Sequence, residues 1–242
     1  MNLFDILSKF SVTKIFNRGY SALLSVYFNF HYLPFRQAIH LPISLHKPRF
    51  IKLNGTIRIE GPVKRGMIKL GQCMNILYPD KGITFENLGG EIVFRGCARI
   101  GGCSAISVGH NGRLELGDGV LSTAALRLVC YHHISLHDNV RLGWETVVMD
   151  TAFHRLKNTD GEFVTSGYGP IELNHHTWVS TRCMVLPGAT TAPYTIVAAN
   201  SMINKKYDES YVMMAGSPAS VKKRGIWRDF SDDEIDYPPL KK

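Results

Sequence analysis

From Leu173 to Ile203 a branched aliphatic residue or a threonine returns at every sixth position: Leu173, Val179, Val185, Thr191, Val197 and Ile203. A helix repeats near 3.6 residues and a strand at 2, so a step of six fits neither element alone. It fits a solenoid of parallel β-coils, in which the branched residue of each step points inward and rests on its copy one coil away. Steps of the same length occur upstream at Val108, Leu114 and Val120, at Ile134, Val140 and Thr146, and at Leu136, Leu142 and Val148. Short alternating runs such as Glu91–Phe94 and Arg113–Leu116 lie between glycines, which are expected at the corners to supply positive φ.

The six-residue step fails once with consequence. Val148 and Leu173 are twenty-five residues apart, four sixes plus one, and residues 150–170 read as a loop that leaves the solenoid and returns at Pro170. Long loops in a regular scaffold tend to carry function. The chain is expected to divide into an N-terminal helical cap (1–50), an all-β solenoid (51–205) and a C-terminal tail (206–242). In the tail, Ser231-Asp232-Asp233-Glu234 has the form of a capping box for a short helix.

Charge and cysteine usage narrow the function classes. The 242 residues carry a net charge of +8, with 45% hydrophobic and 20% charged residues, which indicates a folded globular protein. Lys9, Lys14, Arg18, Arg36, Lys47, Arg49 and Lys52 face a single acid, Asp5, within the first 52 residues. No recognised nucleic-acid module accompanies this charge, so no nucleic-acid partner is expected. Leu3, Ile6, Leu7 and Phe10, and then Leu23, Leu24, Tyr27 and Phe28, sit at helical spacing before Pro34, Pro42 and Pro48 break the pattern. Two uses of residues 1–50 stand open: a cover for the end of the solenoid, or peripheral contact with an anionic membrane surface. The segment Tyr20–Phe30 is too short to span a bilayer and contains Asn29, and the N-terminus lacks the pattern of a cleavable signal. Cys73, Cys97, Cys103, Cys130 and Cys183 are odd in number and form no C-x-x-C, which points to reduced thiols in a cytoplasmic protein. His132 and His137, with His110 or His154 as a third ligand, have a spacing that invites a metal, but strand spacing does not bring them together and none is expected.

Trp178-Val179-Ser180, Val185-Leu186-Pro187-Gly188, Ile196–Ser201 and Ala215-Gly216-Ser217-Pro218-Ala219 resemble the hexapeptide-repeat acyltransferases, a superfamily with a left-handed parallel β-helix. Leu142–His154 resembles the segment of sugar and polysaccharide O-acetyltransferases that ends in their catalytic histidine. The resemblance covers about residues 50–225. It implies an acetyl-CoA-dependent O-acetyltransferase acting on a sugar hydroxyl of a surface-polysaccharide or lipid-linked oligosaccharide precursor. It also implies a homotrimer, with each donor groove between neighbouring subunits. Trp178, Ala198, Ala199 and Ser201 correspond to residues along the pantetheine arm, and Lys205, Lys206 and Arg224 are candidates for the coenzyme phosphates.

The chemistry fits the residue types. Transfer from a thioester to a hydroxyl needs a base with a pKa near neutrality, which imidazole supplies, and His154 is the candidate. Asp150, four residues before it, is the candidate to fix the imidazole tautomer. The sequence departs from the pattern in two ways. Ala124 or Ala125 stands where galactoside and maltose acetyltransferases have an assisting asparagine, and Ser180, Ala192 and Ala198 replace repeat glycines. An acetyltransferase acting on serine or a nucleotide-sugar amine, and a non-catalytic assembly protein on the same scaffold, remain as alternatives.

Overall fold

Side chains six residues apart can all point inward only if the chain turns a corner at each step. In the computed structural model, which describes residues 12–230, they do. Three sheets close a prism around one core, and successive strands enter them in rotation. Ile43–Leu45, Arg49–Leu53 and Thr56–Ile59 start the first, second and third sheets, and Ile68–Gln72, Ile83–Asn87 and Glu91–Phe94 stack on them. All neighbours are parallel except the last pair, where Ala219–Arg224 turns back antiparallel on Val212–Gly216. The architecture is the left-handed parallel β-helix expected from the sequence.

The register explains the period. Leu173 pairs with Thr191, Val179 with Val197, and Val185 with Ile203, so one coil is three steps of six. All six of these residues are fully buried. A second inward column, two residues ahead of the first, holds Ile171, Thr177, Cys183, Ala189, Thr195 and Ser201. Its hydroxyls are satisfied inside the prism: Thr177 and Thr191 share a hydrogen bond of 2.9 Å, and Thr195 donates to the Ala192 carbonyl at 2.7 Å.

Glycine is not the main corner residue in this stretch. Positive φ falls on His176 (59°), Arg182 (56°), Tyr194 (57°) and Asn200 (57°), and only Gly188 is a glycine. The left-handed region costs an L-residue roughly 1–2 kcal/mol. Coil stacking enforces it here: His176 stacks on Tyr194 with ring centres 4.7 Å apart, and Tyr194 on Tyr211 at 4.9 Å.

Both ends differ from the sequence reading. The solenoid begins at Ile43, inside the segment assigned to the cap. At the other end Lys206–Tyr207 still pairs with Thr190–Thr191, and Val212–Gly216 with Ile196–Val197, so a further coil extends past residue 205. The helix Val12–Tyr32 covers the lower end and packs Phe28 against Phe50 and Phe85. A short turn of helix, Phe35–Ala38, follows. The helical positions Leu3, Ile6, Leu7 and Phe10 and the capping box at Ser231–Glu234 lie outside the described residues.

The outer face of the third sheet carries a ladder of ion pairs between coils. Arg58 reaches Glu91 at 2.7 Å, Arg113 joins Glu91 and Glu115, and Arg95 joins Glu60 and Glu115. Burial of Glu115 works against its charge, but hydrogen bonds from Arg95 and Arg113 outweigh it and hold the carboxyl at about 2, below its usual 4.5. A depressed folded-state pKa contributes stability above the unfolded value, and that stability is lost as pH falls from about 4.5 towards 2. Thermal melts across this window are expected to fall more steeply for the native chain than for Glu115→Gln. Parallel curves would show that the ladder does not couple to folding.

Candidate functional site

The long break in the coil leaves the second sheet after Val147–Met149 and rejoins the third at Ile171–Leu173. It is a hairpin. Thr151 bridges Tyr168, Lys157 bridges Phe163, and the Asn158 side-chain oxygen closes the tip by accepting from the Asp160 and Glu162 amides. Its root is held firmly. The Ala152 amide donates to the Gly167 carbonyl at 2.7 Å, and the Gly169 amide to the Asp150 carbonyl at 3.0 Å. Gly167 has φ of +79°, and a Cβ there would sit 2.8 Å from the His154 carbonyl oxygen, so only glycine fits. Phe153, itself at φ 58°, packs edge-on against Tyr131, and Tyr168 packs against His132.

His154 projects from this root. Its side chain is exposed and, among the described residues, has no hydrogen-bond or ion-pair partner. Asp150 has a different task from the one expected of it. It is fully buried, and its two carboxylate oxygens accept the Tyr131 and His132 amides, each at 2.8 Å. Both oxygens are engaged with the corner one coil below, not with the imidazole. A buried carboxylate is tolerable only with such donors. Burial first, and the adjacent Asp150 charge second, push the Cys130 thiol upward. Asp150 therefore builds the platform from which His154 rises.

The residues expected along the pantetheine arm lie elsewhere on the prism. Trp178 is in the first sheet, half-buried, with the Arg228 guanidinium 5.3 Å from its ring centre. Sequence reading missed Arg228. It sits in a tail segment whose amide at Ile226 bonds the Tyr211 carbonyl, and whose Trp227 and Phe230 rings pack on Tyr194 and His176. Ala198 and Ala199 form the corner between the first and second sheets, and Ala199 is exposed. Ser201 is buried, and its hydroxyl accepts the Gly216 amide at 3.1 Å, tying the closing turn to the coil. It presents no free hydroxyl, because it belongs to the inward column. Lys205 and Lys206 stand on the hairpin's edge, in a later coil. Lys206 pairs with Asp208 at 2.9 Å, and Lys205 lies over the Tyr207 ring. Arg224 makes a two-pronged pair with Glu209.

On the edge between the first and second sheets an insertion that includes Tyr78 and Pro79 borders a groove of about 740 Å³, lined among others by Lys81, Thr84, Ala125, Arg127 and Glu145. Tyr78 donates to Glu145 at 2.8 Å, and Arg182 donates to the same carboxylate at 2.6 Å. The Arg182 hydrogen bond, ahead of that from Tyr78, lowers the Glu145 pKa. Ala125, one of the two positions (with Ala124) where the resemblance places an assisting asparagine, lines this groove and not the hairpin. His154 and the groove thus occupy different edges of one prism.

His137 pairs with Glu172 at 3.0 Å, and among the described residues no group of three or more His, Cys, Asp or Glu side chains is placed to hold a metal.

No protein-family model matches the chain, and no curated protein does. Solved structures of similar fold include the polySia-specific acetyltransferase NeuO, at 11% identity over 78% of this chain and 91% of that one, with a TM-score of 0.43. The polysialic acid O-acetyltransferase OatWY is similar at 16% identity over 81% and 82%, TM-score 0.39. A maltose O-acetyltransferase from Clostridium difficile 630 is similar at 14% identity over 88% of each chain, TM-score 0.38.

Proposed function

We propose that this chain is an acetyl-CoA-dependent O-acetyltransferase acting on a sugar hydroxyl of a surface-polysaccharide or lipid-linked oligosaccharide precursor, with His154 as general base. The observation that supports it most is the hairpin. The longest departure from the coil among the described residues holds an unengaged imidazole in the open, over a corner braced by the buried Asp150 carboxylate. In the reaction, His154 takes the acceptor hydroxyl proton as the oxygen attacks the thioester carbonyl. The tetrahedral intermediate collapses with cleavage of the carbon–sulfur bond, and the imidazolium returns the proton to the departing thiolate. The products are an acetyl ester and free coenzyme A.

A homotrimer completes this reading. In one chain the hairpin edge is separate from Trp178, Ala198 and the 740 Å³ groove, and packing copies side by side brings such edges together. The hairpin exposes Phe153, Leu156, Phe163 and Tyr168, apolar surface that a neighbouring copy would cover. The Lys206 and Arg224 pairs would have to open for these cations to meet the phosphates, so the exposed Lys222 and Lys223 are the readier partners.

The test is thiol release from acetyl-CoA with three acceptors: an oligosaccharide, serine and an amino nucleotide-sugar. Release with the oligosaccharide alone is expected. Preference for serine or the amine would move the reading to the corresponding acetyltransferase. Absence of coenzyme A binding by calorimetry would replace it with the assembly protein.

A further inference from the structure

The helix Val12–Tyr32 has two faces with different tasks. One is spent on the solenoid, through Ser21, Ser25, Phe28 and Asn29. The other points away from it and is apolar. Leu23, Val26, Tyr27 and Phe30 follow the i, i+3, i+4, i+7 pattern on that face, and Phe35 and Ile39 extend it past the end of the helix. All six are exposed, Leu23 at 72% and Phe35 at 71%. The Phe30 and Phe35 rings lie 6.0 Å apart, so the patch is continuous across the bend. Scattered surface apolar residues need no explanation, but a contiguous patch of this kind marks an interaction surface.

Charge selects the occupant. From residue 6 to residue 59 the chain has no aspartate or glutamate, and it has eight cations: Lys9, Lys14, Arg18, Arg36, Lys47, Arg49, Lys52 and Arg58. Lys47 and Arg58 are paired with acids from later coils. Arg36, Arg49 and Lys52 are exposed, with no ion pair among the described residues. A second copy docked face to face would set these cations against their own copies, which is repulsive. An anionic bilayer surface meets both requirements, because it solvates the apolar face and attracts the cations. Aromatic rings such as Tyr27, Phe30 and Phe35 suit the boundary between headgroups and acyl chains. The helix does not cross: no described helix is long and apolar enough to do so.

We propose that the outward face of this helix, with Phe35 and Ile39, lies in the surface of an anionic lipid bilayer. The solenoid would then stand end-on to the membrane with its coils rising from it. This holds whatever the chain acetylates, and its test needs no turnover.

The test is co-sedimentation of the full chain with vesicles of phosphatidylcholine alone, and of phosphatidylcholine with about one-third phosphatidylglycerol. Partition is expected to be at least about tenfold stronger onto the anionic vesicles and to weaken with added salt. The double variant Leu23→Glu/Phe35→Glu is expected to lose at least about tenfold of that partition, with its sedimentation in the absence of lipid unchanged. Equal partition of variant and native chain, or no partition of the native chain, overturns the proposal. A changed oligomeric state of the variant without lipid would mean that a second copy covers the face. A fall in its melting temperature of more than about 4 °C, the scale of roughly 1 kcal/mol for a chain of this size, would mean that the chain's own residues do. Either result also overturns it.

Discussion

His154→Ala is expected to lower turnover at least about a hundredfold while leaving the fold and coenzyme A affinity unchanged, since general-base catalysis contributes about 10²–10⁴. The geometry separates these effects cleanly. The imidazole is exposed and contacts nothing that stabilises the hairpin, whose root is held by backbone bonds at Ala152 and Gly169 and by the Phe153–Tyr131 contact. Circular dichroism and the melting temperature should therefore match the native chain. Calorimetric titration with coenzyme A should superimpose. Asp150→Ala should behave differently. It leaves the Tyr131 and His132 amides without their acceptors at a part-buried corner and empties the fully buried Asp150 site, so melting temperature and turnover should fall together. Retained turnover in His154→Ala would remove this residue from the chemistry. Loss of turnover with a lowered melting temperature would show only that the hairpin had come apart.

How far sequence carries depends on whether a feature repeats. Leu173 to Ile203 could be placed inside because stacking makes each residue's environment a copy of the one a coil away, and all six are buried. The second column was equally periodic, but Thr177, Ala189, Thr195 and Ser201 are small or polar, and a search for branched aliphatics passes over them. That is why Ser201 could be read as a ligand-facing residue when it is an inward one. The corners were misread for a related reason. Glycine tolerates positive φ without help, whereas His176, Arg182 and Tyr194 adopt it because neighbouring coils hold them there, and no local signal announces that. His154 was legible because it interrupts the pattern. The partners of Asp150, Arg224 and Trp178 were not. They are the Tyr131 and His132 amides, Glu209 and Arg228, and each pairing depends on where a chain of eighteen-residue coils with insertions happens to return.

Asn29→Leu should destabilise the chain by about 2–6 kcal/mol, counting two buried backbone groups left unpaired at about 1–3 kcal/mol each. The first coil of a solenoid has no coil beneath it, so the lower edge of Ile43–Leu45 would expose unpaired donors and acceptors. The helix supplies partners at intervals of four residues. The Ser21 hydroxyl accepts the Lys47 amide at 3.0 Å, and the Ser25 hydroxyl accepts the Leu45 amide at 2.9 Å. Asn29 serves Ile43 on both sides, accepting its amide at 3.1 Å and donating to its carbonyl at 2.7 Å. Spacing of four places all three on one face of a helix, and their reach matches alternate residues of a strand. Asn29 is fully buried, so no water can replace it. Leucine keeps the branching and the number of side-chain heavy atoms and removes both bonds to Ile43, so the loss reports chiefly on the cap. At roughly 2–4 °C per kcal/mol the melting temperature should fall on the order of 10 °C. The freed edge should also promote self-association at high concentration, visible by light scattering. Tyr32→Phe, which removes an exposed bond to the Asn54 carbonyl, should cost under about 1 kcal/mol and serves as the reference. If the two variants melt alike, the helix does not act as the missing coil, and the lower edge of the solenoid must be protected by something else.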